Sequence, residues 1–438
     1  MFHKPHKTPN AKPLKDLTAI VSPAQLLADA KRQQLLEKIE DFSGFEQTRF
    51  NTLCTPLIHN LINHCQSLPE TYNSYYAQSG GLLDHALNRT EAALDLFRHF
   101  IIQESTELSE EQKLWMYALF SAGILQGIGK LQVEFKIGLY DVNGQLIKTW
   151  NPVLESLAAV GSYYQYSFLG PTDEDFRKRL NLLLARMLMP AAGFNLIASN
   201  ADVLAVWLSL LNEDWQSAGT LGAILVRADA IAIQRYFNEF LHTIATRRGR
   251  INRISTFVDT NPENLIDKEK AIGIEFIQWL TKSLEDGQIM INKAPLLMVP
   301  GGLLISPEIY KYFVREHPEY KNWQAIQNGF LSLKLHSVAT DGTVEARFEQ
   351  TATQQMHTGV VFSNYAIALP ETMKIHNVNT GKISTISATE LIHSAQHNNN
   401  FRQPASPTSS QLAHLNAHGK WEQVEAQDAL RPGSHHSG

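Results

Sequence analysis

ALFSAGILQGIGK, residues 118–130, decides how the first half of the chain folds. Its first eight residues are apolar or small, the composition of a helix buried on nearly every side. Ser109-Glu110-Glu111-Gln112 upstream has the form of a capping box, so the helix is expected to run from there to Gln126. Gly129 is expected as the left-handed residue that ends it. At the junction stand Gln126 and Gly127, one polar side chain and one with none.

Outward from this helix, the pattern up to residue 245 is helical. Ser22-Pro23 reads as a helix start, with Leu26, Leu27, Ala30, Leu35 and Ile39 giving an apolar face to about Asp41. Further helices are expected over 45–67, which stops before Leu68-Pro69, and from Leu82 to about Gln103. A short turn or hairpin is expected around Asn143-Gly144, then helices over 152–165, 173–189, 201–212 and 217–245. The first domain, residues 19–245, therefore reads as all-helical.

Composition changes at Ala245. TRRGRINR, residues 246–253, carries four arginines, and no acid occurs between Phe240 and Val258. Residues 246–262 read as an Arg-rich linker. Beyond it come a helix over 268–284, β-prone runs at 288–292 and 296–305, helices near 307–316 and 322–332, and strands near 333–338 and 344–349. That order suggests a small α+β domain of winged-helix type over 263–390. The Asn-, Gln-, Ser- and His-rich tail, 391–438, reads as disordered, and residues 1–18 as a flexible basic arm.

The chain has 438 residues, 44% hydrophobic and 18% charged, with a formal charge of −5. This excludes a uniformly basic nucleic-acid binder but leaves room for a local basic patch. Cys54 and Cys65 are too few for a disulfide framework and suit a reducing, cytoplasmic setting. No apolar run reaches the roughly 18 residues of a spanning helix. The best candidate, Leu221 to Ile233, is interrupted by Arg227 and Asp229.

LPETYNSYYAQSGGLLDH, residues 68–85, brings in a family. It resembles the opening of the HD-type relaxases of conjugative elements, the MobH group, which also carries a TraI-type helicase label. Other pieces agree in order: Gly129-Lys130, Asp141 with Gly144, Trp150-Asn151-Pro152, and Arg227-Ala228-Asp229. In the second domain Asn292, the run Gly301-Gly302-Leu303-Leu304-Ile305-Ser306-Pro307 and Trp323-Gln324 also match, so the likeness spans roughly residues 20–350.

The resemblance places His85 at the family's first metal-ligand histidine and Asp229 at its closing aspartate. It also shows Gln126 and Gly127 standing where the family has its adjacent His-Asp pair. Ser74, Tyr75 and Tyr76 replace a run of histidines, and no histidine occurs between His99 and His242. One imidazole and one carboxylate are too few for a site that needs four or more ligands. No cofactor is therefore expected, and a divalent ion (Mn, Fe or Zn) only if a remodelled site still binds it. His85 and Asp229 also have a plain structural reading, as a buried hydrogen-bonding histidine and an internal ion-pair partner. The six tyrosines 72, 75, 76, 163, 164 and 166 read either as base-stacking groups or as packing that fills the vacated site.

Nucleic-acid contact is expected from Arg247, Arg248, Arg250 and Arg253, and from Lys130 at the helix end; a solvated linker is the alternative for the arginines. The chain contains no Gly-x-x-x-x-Gly-Lys-Ser/Thr phosphate loop. The expectation is a relaxase-related, catalytically inactive DNA-binding or assembly factor in conjugative DNA processing. The rivals are a metal-dependent nuclease or phosphohydrolase with a remodelled site, and a scaffold that binds proteins of a secretion or transfer apparatus.

Overall fold

A computed structural model describes residues 11–101, 108–170, 173–251, 262–338, 342–351, 353–378, 380–395, 400–403, 414–415 and 421–422. The chain opens with strand β1 (Thr18–Ala19) and helix α1 (Pro23–Leu26), whose Ser22 and Gln25 form a reciprocal capping box. The single helix expected from Ser22 to Asp41 is in fact broken. Asp29 accepts hydrogen bonds from the amides of Lys31 and Arg32 and starts a new helix, α2 (Ala30–Ser43). Then follow α3 (Gln47–Cys65), α4 (Gly81–Ile101) and α5 (Glu110–Leu125). Ser109 and Gln112 cap α5 as expected, and every residue from Met116 to Leu125 is buried.

The first half is mostly helical but not all-helical. After α6 (Lys130–Val133), strands β2 (Phe135–Tyr140), β3 (Leu146–Thr149) and β4 (Tyr163–Phe168) join β1 in an antiparallel sheet of order β1-β4-β2-β3. The Asn143-Gly144 hairpin is present, with Asp141 accepting from the amides of Asn143 and Gln145. The helix expected at 152–165 is absent. Tyr163–Phe168 instead pairs along β2 from Phe135↔Phe168 to Tyr140↔Tyr163, because an aromatic run packs better on a pleated surface. Helices α7 (Glu174–Leu188), α8 (Ala191–Ala198), α9 (Ala201–Leu211) and α10 (Trp215–Ile251) complete this half.

A second group of elements follows. It comprises α11 (Pro262–Glu285), the hairpin β5 (Leu296–Val299) and β6 (Gly302–Ile305), α12 (Pro307–Glu316), α13 (Trp323–Ser332), β7 (Glu345–Gln350), β8 (Met356–Phe362), β9 (Thr372–His376), β10 (Ile383–Ser387), α14 (Ala388–Ala395) and β11 (Phe401–Arg402). The main sheet is antiparallel, in the order β11-β7-β8-β6-β5. The expectation of disorder from residue 391 fails at its start, since Leu391, Ile392 and Phe401 are buried in apolar cores.

Helix α10 joins the halves. Leu221, Ile224, Leu225 and Ala228 belong to the first core, and Ala223, Ala230, Ile233 and Phe237 to the second. A helix with two apolar faces must be covered on both sides, so the halves pack on it rather than hanging from a linker. Residues 246–251 of the arginine run continue α10. Among the described residues, no single helix is long and apolar enough to cross a membrane.

Candidate functional site

The site is set by a close approach at the start of α4. Gly80 has φ +79°, and a Cβ on Gly81 would run into the Tyr76 carbonyl. The loop from Leu68 therefore lies directly against the first turn of α4, bringing Glu70 and Tyr76 onto His85. The Tyr76 ring stacks on the imidazole at 4.9 Å and Tyr75 meets it edge-on at 5.5 Å. His85 Nδ1 lies 3.2 Å from Glu70 Oε1, and Nε2 lies 3.0 Å from Asp229 Oδ1.

One helical turn after His85, Arg89 reaches the same aspartate at 3.1 Å. It also donates to the carbonyls of Gly123, at 2.9 Å, and Gln126, at 3.1 Å. These carbonyls belong to the end of α5, where intrahelical donors run out. Arg89 thus caps that helix, and its charge sits favourably at the negative end of the helix dipole. The left-handed residue here is Gly127, with φ +74°, and not Gly129, which is right-handed. Gly129 matters for space: a Cβ on it would strike the Arg177 carbonyl, and its amide donates to Asn181 Oδ1 at 2.7 Å. Lys130, fixed by this contact, pairs with Glu70.

The charges settle each other. Burial pushes the Glu70 carboxyl up, but Lys130 and His85 outweigh it and hold Glu70 well below the usual carboxylate range. For Asp229 burial is again opposed and overcome, here by His85 and Arg89. His85 is lowered by burial but raised further by Asp229 and Glu70, so its net shift is upward. Glu134, at the C-terminal end of α6 and lining the same cleft, is instead raised by burial.

These groups line a cavity of about 500 Å³ together with Gln126, Gly127, Arg177 and Trp215. Its far wall is Ser363 to Ile367 and Ile392, from the second half. Arg227 of α10 anchors that wall by donating to the carbonyls of Ala366 at 3.2 Å and Leu369 at 2.7 Å. Gln126 Oε1 is buried there without a hydrogen-bond partner among the described residues.

His85, Asp229, Gln126, Gly127 and Lys130, singled out in the sequence, thus meet at one place. Arg247, Arg248 and Arg250 fall on the last helical turns of α10, whereas Arg253 lies outside the described residues. Tyr75 and Tyr76 pack on His85, while Tyr72 is 68% exposed and far more open. Sequence reading missed Glu70 and Arg89. Arg89 had a signal, its i+4 spacing from His85 on one helix. Glu70 had none, because only the loop's return over α4 makes it a neighbour of His85.

A divalent ion does not fit this donor set. Both nitrogens of His85 face carboxylates rather than a common point, and those carboxylates already carry Arg89 and Lys130. Gln126 offers only a neutral amide and Gly127 no side chain. Among the described residues, no group of three or more His, Cys, Asp or Glu side chains is arranged to hold a metal.

No curated protein matches the chain. A family model described as "Putative helicase" matches residues 18–251, and one described as "Putative conjugal transfer nickase/helicase TraI C-term" matches residues 271–425. The first alone covers more than half of the chain, the second follows it in order, and the chain belongs to this TraI-type conjugal transfer nickase/helicase family.

Proposed function

We propose that this chain is a relaxase-related factor of conjugative DNA processing that binds DNA and helps assemble the transfer complex, without metal-dependent cleavage at the His85 cleft. One observation carries this reading. The carboxylates that would hold a divalent cation instead hold the chain's own cations, Arg89 on Asp229 and Lys130 on Glu70. An internal cation tethered to the fold is present at far higher effective concentration than a free ion and needs no separate binding event. The meeting of His85 on α4 and Asp229 on α10 supports an HD-type arrangement for the first half. A winged-helix-type second domain agrees with the order α11, β5–β6, α12, α13, β7–β8. ATP-driven unwinding is not part of the proposal, since the sequence has no phosphate loop.

Metal content of the full chain, purified without a histidine tag or chelators, tests the first part. Less than a tenth of an equivalent of Mn, Fe or Zn is expected. Stoichiometric metal that disappears in His85→Ala sinks the reading and makes a nuclease the better one. A gel shift with single- and double-stranded DNA tests the second part. Salt-sensitive binding is expected, weakened when Arg247, Arg248, Arg250 and Arg253 become alanine.

A further inference from the structure

A second cleft, of about 700 Å³, opens between α2, α4 and α10, two turns along α10 from Asp229. Its size is that of a small-molecule or nucleotide site. Three of its lining residues are aromatic: Tyr76, Tyr236 and Phe240. Tyr236 lies 4.9 Å from Tyr76 and 6.2 Å from Phe240, the latter pair nearly parallel at 24°. Lys270 of α11 holds them in place. It is buried, its Nζ is 5.1 Å from the Tyr236 centroid and 4.5 Å from that of Phe240, and it donates to the Tyr236 hydroxyl at 3.1 Å. Half-buried rings fixed in advance lose little freedom when a planar ligand lands on them.

The polar lining is graded. Asp84 is tied to Arg32 at 2.7 Å, and Asp29 is spent capping α2. At the rim Lys31 and Glu239 pair at 3.1 Å, but with side chains 73% and 64% exposed. Such a pair is worth little and exchanges readily with another anion. Asp267 lies beside Tyr236 and disfavours phosphate there, so base faces suit the floor and phosphates the rim.

We propose that this cleft stacks one or two unpaired bases of single-stranded DNA on Tyr236 and Phe240, with Lys31 leaving Glu239 for a flanking phosphate. The identity of the ligand rests on the DNA-processing reading above; the site is separate from the His85 cleft. Every base has a π-face, so recognition here is tolerant of sequence and sensitive to whether a base is present.

Fluorescence anisotropy of the full chain with a short labelled single strand, intact or carrying abasic sites, tests this. The intact strand is expected to bind about tenfold more tightly than the abasic one. Phe240→Ala should erase that ratio. Lys31→Glu should weaken both strands alike and leave the ratio unchanged. A wild-type ratio near one, or a ratio that survives Phe240→Ala, overturns the stacking site while leaving the proposed function standing. Absence of any DNA binding at low salt overturns both. If Phe240→Ala does not fold, the wild-type ratio and Lys31→Glu decide without it.

Discussion

Helices α4 and α10 build both clefts, and they use charge in opposite ways. Around His85 the cations are buried against carboxylates: the Arg89 and Lys130 side chains are 5% and 12% exposed. In the second cleft the rim pair Lys31–Glu239 stands in solvent. A charge buried with its counter-ion has lost its water and cannot leave its partner without a large penalty. An exposed one trades partners at almost no cost. The first cleft therefore behaves as structure and the second as a surface open to ligands.

The sharpest way to break this comparison is Arg89→Ala. It leaves Asp229 with His85 alone and two helix-end carbonyls without their donor, so a loss of about 3–5 kcal/mol is expected in urea unfolding. A loss below about 1 kcal/mol would mean that the pair is not structural. A smaller effect separates the two glycines at the end of α5. Gly129→Ala drives a Cβ into backbone and should cost about 2–3 kcal/mol. Gly127→Ala has room around it but a positive φ, and should cost about 1 kcal/mol. Equal losses would remove the distinction between crowding and strain.

Smaller again is a pH effect on the aromatic platform. Burial pushes the Lys270 ammonium down to about 8, with Asp267 opposing it. Between that value and the ordinary lysine range the unfolded chain binds the extra proton, so stability should rise as pH increases from about 8 to about 10. The ring faces offset part of the burial, leaving on the order of 1 kcal/mol. Lys270→Met should flatten this slope in urea midpoints measured at both pH values, and an unchanged slope would remove Lys270 as its source. The smallest expected effect is Lys31→Ala, less than about 0.5 kcal/mol in stability. A larger loss would show that the rim pair is locked as well, and the contrast between the clefts would fail.

Much of the helical order was readable because its causes are local. The Ser109 capping box, the uninterrupted apolar run of α5 and the Asp141 turn each depend on residues within a few positions of one another. The errors came where longer-range pairing overrode a local tendency. Tyr163–Phe168 became a strand because β2 was available to pair with it, and Gly129 proved necessary for a neighbouring helix rather than for its own end.

By itself the sequence determined that the first half is dominated by helices, though it was read as all-helical and the sheet was missed, that Gln126 and Gly127 stand at the end of the apolar helix, and that arginines cluster at 247–253. Only the tertiary structure decided what neutralises the two carboxylates. Glu70 comes from a loop, Arg89 and His85 from α4, Asp229 from α10 and Lys130 from the segment after α5. The electrostatics of such a cluster depend on distances of a few ångströms in a low-dielectric interior, and no spacing along the chain encodes those distances.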